Sequence, residues 1–195
     1  MVAAVARPTI LTDPGVLYIA PLASTLPAMT VVGGVFTDPW PAAWLQLGAT
    51  EDGSQFSYQV NTQPILVAEF FDPIAYKTTD RSGSFAFSLA SWGLSNYNRA
   101  LNGGVAALTP VSGTGTTALY ELTPPAPGNE ARAMIGWESL DGSLRLVCKQ
   151  TLQSGQVQSS FKKAPANAAI PCSFVFEIPA DGTPPFKFSG TSLRA

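Results

Sequence analysis

The sequence contains no histidine. Ser-His-Asp and Cys-His catalysis and every His-ligated zinc site are thereby excluded. Charge is scarce as well: Asp, Glu, Lys and Arg make up 12% of the 195 residues, about half of the ~25% usual in globular domains. The 13 acids and 11 bases leave a net charge of −2. A protein that binds nucleic acid by neutralising phosphates needs a basic face. Here the bases are scattered, and Lys162-Lys163 is the one adjacent pair. No run of about 18 apolar residues occurs, so no helix is expected to span a membrane. The opening Met1-Val2-Ala3-Ala4-Val5-Ala6-Arg7-Pro8 has neither a charged start nor a long apolar stretch, and no secretory leader is expected from it. The simplest compartment is a cytoplasm. Cysteine is nearly absent too. Cys148 and Cys172 both fall in alternating apolar segments and read as small buried hydrophobes rather than a disulfide.

What is present is a globular share of hydrophobic residues, 46%, with 17 glycines and 17 prolines. Gly and Pro together punctuate roughly one residue in six, the mark of a turn-rich chain. Period-two alternation dominates. Phe56, Tyr58 and Val60 alternate with polar residues over 54–61, and Phe85, Phe87 and Leu89 do so over 82–90. The same pattern recurs at Ala131, Ala133, Ile135 and Trp137, at Leu144, Leu146 and Cys148, and at Cys172, Phe174, Phe176 and Ile178. Such runs are half-buried antiparallel strands. Weaker strands are expected at 16–20, 31–36, 43–47, 64–71 and 117–122. One segment departs from the pattern: Ala90, Leu94, Tyr97 and Leu101 make a helical stripe. Ser91 is its expected cap and Asn102-Gly103-Gly104 its stop. Asp141-Gly142 predicts a two-residue hairpin turn. Residues 103–117 and the Pro124-Pro125-Ala126-Pro127-Gly128 stretch read as long loops.

No segment assembles a catalytic or metal-binding pattern, and neither cofactor nor metal is expected. Ser112-Gly113-Thr114-Gly115-Thr116-Thr117 lacks the Gly-Lys-Ser/Thr ending of a phosphate cradle. Glu51-Asp52-Gly53 reads as a solvated turn. Glu69 and Asp72 flank Phe70-Phe71 and would suit a carboxylate glycosidase only if they converged in space. Trp40, Trp44, Trp92 and Trp137 could stack sugars in a row, but core or subunit packing is the plainer reading.

The order of blocks is informative. Thr12-Asp13-Pro14-Gly15-Val16-Leu17-Tyr18-Ile19-Ala20-Pro21-Leu22 precedes Trp44-Leu45-Gln46-Leu47-Gly48-Ala49-Thr50-Glu51-Asp52-Gly53. Gln63-Pro64-Ile65-Leu66-Val67-Ala68-Glu69 follows, then Ser84-Phe85-Ala86-Phe87-Ser88-Leu89-Ala90 and the helix ending Asn98-Arg99-Ala100-Leu101-Asn102-Gly103. In this order the chain resembles the major tail (tail tube) proteins of long-tailed bacteriophages, best over 12–104 and more loosely over 130–190. Ser91 stands where members of that family often carry an acid. The resemblance implies a mainly β fold, an antiparallel β-barrel or sandwich with one short flanking α-helix. It implies one domain over 1–195 with extended arms at about 1–15 and 179–195. It also implies a non-enzymatic subunit of stacked hexameric rings in the virion. Their lumen would conduct double-stranded DNA without specific binding and hold the tape measure protein, with terminator and distal tail proteins at the ends. Subunit contacts are then expected in the arms and in the loops 37–43 and 103–116, at Leu11, Tyr18, Trp40, Gly103, Gly104, Phe186, Phe188 and Leu193. Glu121, Glu138 and Glu177 are candidates for the lumen. Another tail component of this fold, a distal tail or terminator protein, is the near alternative. A carbohydrate-binding or adhesin-like β-sandwich is the more distant one.

Overall fold

In a computed structural model the described residues are 14–159 and 168–191. The strands are β1 (Val16–Pro21), β2 (Val31–Val32), β3 (Val35–Phe36), β4 (Leu45–Gln46), β5 (Thr50–Ile65), β6 (Ala75–Leu89), β7 (Ala133–Glu138), β8 (Leu144–Gln153), β9 (Ile170–Phe176) and β10 (Phe186–Gly190). One α-helix, α1 (Leu94–Ala100), and one 3-10 turn at Gly115–Thr117 complete the described elements. The main sheet is antiparallel with strand order β4-β1-β7-β8-β9-β6-β5, and β10 pairs with β8. The expected fold class, mainly antiparallel β with one short helix, is what the chain adopts.

β4 and β5 lie at opposite ends of this order, yet only residues 47–49 separate them. So short a link reaches at most roughly 14 Å, so the sheet curls until its ends meet. Each end carries its ladder one step further into the link: Leu47 N–H donates to the Leu17 carbonyl (3.0 Å) beyond the β4–β1 pairing, and Ala90 N–H to the Ala49 carbonyl (2.9 Å) beyond the β5–β6 pairing. Inside the curl, alternate residues converge as the sequence predicts: Leu17 and Ile19, Phe85, Phe87 and Leu89, Ile135 and Trp137, Leu146 and Cys148, Cys172 and Phe174. Each such aliphatic or aromatic side chain contributes about 1.5–3 kcal/mol on burial. Cys148 and Cys172 are free and buried, as expected. Burial pushes the Cys172 thiol up to about 12 and the Cys148 thiol higher still.

β1, β7 and β8 are covered on their other face as well. Residues 22–44 cross over it as a strap, and Met29, Trp40 and Trp44 pack on Ala20, Met134 and Val147. Arg145 fixes the strap. Its guanidinium is 2% exposed, donates to the carbonyls of Ala28 (3.1 Å) and Asp38 (2.6 Å), and pairs with Glu138 (3.1 Å). Phe36 and Trp40 cover its faces at 4.8 and 5.6 Å. Gly136 admits the Trp40 ring, because a Cβ there would collide with it.

Several local expectations need correction. Ser91 does not cap the helix: α1 begins after Gly93, and the Ser91 hydroxyl instead accepts from Ala49 N–H (3.0 Å). The helical stripe is also displaced. Leu94 is exposed, whereas Asn96, Asn98 and Ala100 are buried. The buried amides are accommodated because loop carbonyls need donors: Asn96 Nδ2 donates to Ser91 (2.8 Å) and Asn98 Nδ2 to Gly104 (3.2 Å). The stop is as expected, with Asn102 and Gly104 at φ +58° and +96°. Asp141-Gly142 sits in a longer loop, residues 140–143, in which the Asp141 carboxylate accepts from Ser139 Oγ (2.6 Å) and Ser143 N–H (3.0 Å). The 31–36 strand is split by a Gly33-Gly34 turn, the 64–71 strand stops at Ile65, and 117–122 forms only an isolated bridge, Ser112 with Leu119. Within the expected C-terminal arm, Phe186–Gly190 is instead a strand of the sheet, in register with residues 144–148.

Candidate assembly surface

β5 and β6 pair from end to end apart from a bulge at residues 51–53, but only the C-terminal part of β6, residues 84–89, is continued by β9. Residues 58–65 and 75–83 therefore leave the sheet as a two-stranded ribbon. Among the described residues β5 pairs with β6 alone, so the outer edge of its ribbon part, residues 58–65, is open. An open edge of that length presents unpaired N–H and C=O groups to any strand that approaches.

The ribbon is amphipathic. Along β5, Phe56, Tyr58, Val60, Thr62 and Pro64 share one face; across from them on β6 stand Phe85, Gly83, Arg81, Thr78 and Tyr76. A bulge at Thr79 shifts the phase of β6, which is why Tyr76 joins Arg81 on this face, and the Thr79 hydroxyl bonds the Asn61 carbonyl (3.2 Å). The opposite face carries Ser57, Gln59, Asn61 and Gln63, ending at Ile65, with Ser84, Ser82, Asp80, Lys77 and Ala75 across from them. The apolar face continues the core face of the sheet, yet Tyr58, Val60 and Tyr76 are exposed. An isolated two-stranded ribbon is marginally stable in water, and an apolar face normally marks what it packs against.

At the ribbon's base that face meets an aromatic cluster. Phe186 lies 5.0 Å from Phe56, 5.1 Å from Tyr58 and 5.4 Å from Phe176, and Phe188 lies 5.0 Å from Phe56. Gly83 makes room for the Phe176 ring, whose nearest atom would stand 2.7 Å from an added Cβ. Beside the cluster opens a cavity of about 500 Å³ lined by Tyr58, Arg81, Phe176, Ile178, Pro185 and Phe186. At the far end, residues 66–74 turn the chain. Phe71 is 107% exposed, and Leu66, Phe70 and Ile74 are exposed as well.

The residues expected at subunit contacts fall in three places. Phe186 and Phe188 stand at the ribbon base. Tyr18 and Trp40 stack on each other at 4.3 Å under the strap, and Gly103 and Gly104 form the stop after α1. Leu11 and Leu193 lie outside the described residues. Glu138 is engaged by Arg145 and by Trp40 Nε1, which removes it from the open surface expected of a lumen residue. Glu177 accepts from Gln150 (2.9 Å) and pairs with Arg132 (3.1 Å), which hold its carboxyl below the usual range. Glu121 is exposed. Glu69 and Asp72 sit on the exposed ribbon turn rather than in a cleft. Trp44 and Trp137 are buried, so the four tryptophans form no exposed row. Of the ribbon, the expected strands at 54–61, 64–71 and 82–90 touch only parts, and its continuity through residues 62–63 and 75–81 is not among the expectations. Its signal was the alternation continuing through polar positions, which reads as surface unless the exposed aromatics are weighed.

No family model and no curated protein matches the chain. Among the 15 chains of solved structures that match is one from the cryo-electron-microscopy structure of an anti-feeding prophage baseplate, 6-fold symmetrised. It has a TM-score of 0.43 and 8% identity, covering 97% of this chain and 100% of that one.

Proposed function

We propose that the chain is a structural subunit of a phage tail tube, assembling with copies of itself into stacked hexameric rings. The observation that carries this reading is the β5–β6 ribbon, with an exposed apolar face and an outer β5 edge that no strand among the described residues pairs. Neighbouring copies arranged around a ring would cover both: the apolar face packs against the next subunit, and the open edge pairs with the next ribbon. The ribbon's other face, rich in Ser, Gln and Asn, then lines the lumen. Tight DNA binding needs Lys or Arg to displace counterions, so an amide- and hydroxyl-rich wall lets DNA slide through. The tape measure protein occupies that lumen before ejection, and distal tail and terminator proteins close the ends. The role is structural and non-catalytic, without a cofactor. The glycan-binding alternative has lost its main support, because Trp44 and Trp137 are buried and Trp40 is packed against Tyr18.

Electron microscopy of the purified chain, with sedimentation over a range of concentrations, tests the proposal. Rings or tubes that grow with concentration are expected. A chain that stays monomeric throughout, also with tail assembly partners present, would contradict it.

A further inference from the structure

The ribbon tip and the cavity at the ribbon base are complementary, and one molecule cannot join its own pair. From Tyr58 to Ile65 the strand runs seven residues, roughly 23 Å at about 3.3 Å per residue. The tip thus stands well away from the cavity beside Tyr58, held there by the continuous β5–β6 pairing. The tip sequence is Glu69-Phe70-Phe71-Asp72: two exposed aromatic rings flanked by two carboxylates. Neither carboxylate has a hydrogen bond or ion pair among the described residues. The cavity offers the converse. Tyr58, Phe176, Ile178 and Phe186 give it apolar walls, and among the described residues Arg81 is the one cation lining it. Arg81 likewise has no ionic or hydrogen-bonding partner among the described residues, although it sits on the apolar face of the ribbon.

We infer that the ribbon tip of one copy seats in the ribbon-base cavity of a second copy, with Phe70 and Phe71 against its aromatic walls and Glu69 or Asp72 paired with its Arg81. The inference rests on the self-assembly reading above and adds to it the partner surface and its polarity. Tip and cavity are different patches, so the contact is head-to-tail. Repeated, such a contact closes a ring or continues as a filament; it does not stop at a two-fold dimer. Aromatic rings desolvated in a pocket supply most of the binding strength, and the charges select the partner.

The test is a charge exchange in the full-length chain, read as the concentration at which sedimenting assemblies appear. Glu69, Asp72 and Arg81 are all exposed, so their substitution leaves folding intact. E69K/D72K and R81E are each expected to raise that concentration about tenfold or more, because each brings like charges together at the contact. Combining all three substitutions restores opposite charges and is expected to return it close to the wild-type value. If the combined variant assembles no better than the worse of its parents, or if both parents assemble like the wild type, the inference is overturned. The same holds if the tip variants form normal homotypic tubes and lose only attachment of another tail protein, since the occupant would then not be a second copy. A wild-type chain that never assembles would contradict the underlying reading instead.

Discussion

At the scale of single residues, the least replaceable side chain is Arg145. It is a buried charge held by Glu138, by two strap carbonyls and by two aromatic faces. Removing one partner of a buried pair strands the other, at about 3–5 kcal/mol. Arg145→Met is therefore expected to lose that much stability in urea unfolding and to loosen residues 28–38. Gaining about that much stability instead would mean the pair costs more than it contributes. The cysteines set the alkaline limit. An unfolded thiol ionises near about 8.5, whereas in the folded chain burial keeps Cys172 protonated to about 12. Above the unfolded value the unfolded state sheds protons that the folded state retains. Stability is thus fully present below that pH and falls as pH rises toward 12, by about 1.4 kcal/mol per pH unit for each thiol. Urea midpoints measured across this range should decline, and the decline should be markedly shallower in Cys148→Ala/Cys172→Ala.

At the scale of elements, strands whose alternation is unbroken were legible, and irregular ones were not. β6 near Phe85 and Phe87, β7 and β9 place the predicted faces inward. β8 was legible only to Cys148. Its pairing with β7 shifts between Ala133 and Ile135, so the inward set passes from Leu146 and Cys148 to Thr151 and Gln153, and a polar pair in the new phase reads as a loop. Asn96 and Asn98 hid the packed side of α1, since buried amides carry no hydrophobic signal and depend on the carbonyls of Ser91 and Gly104 in the segments flanking the helix. Phe186 and Phe188 were legible as apolar residues needing a partner. That they are a strand beside Phe56 depends on tertiary pairing with β8. The ribbon illustrates the separation of folding from assembly. Residues 62–79 contribute no buried side chain. Replacing them with an Asn-Gly turn between the cross-strand partners Asn61 and Asp80 is expected to shift unfolding stability by less than about 1 kcal/mol, since loop closure depends weakly on length. The same change should abolish ring and tube formation. Assembly unaffected by it would exclude the ribbon from the contact.

At the scale of the whole molecule, the sheet curls so that β4 and β5 are joined by residues 47–49, yet among the described residues β5 keeps an open outer edge and the ribbon an uncovered apolar face. As a lone molecule that is an aggregation hazard of the kind proteins blunt with charge, and this chain has little charge to spare. In the closed ring proposed above the same features would be interface, and the scarcity of charge would follow from how much surface neighbours cover. Hydrogen–deuterium exchange of residues 50–65 and 75–83, compared between the dilute chain and its sedimented assemblies, tests this most directly. Amides on the open edge of β5 are expected to exchange freely in the dilute chain and at least about tenfold more slowly once neighbouring ribbons pair with them. Equal exchange rates in both states would contradict it.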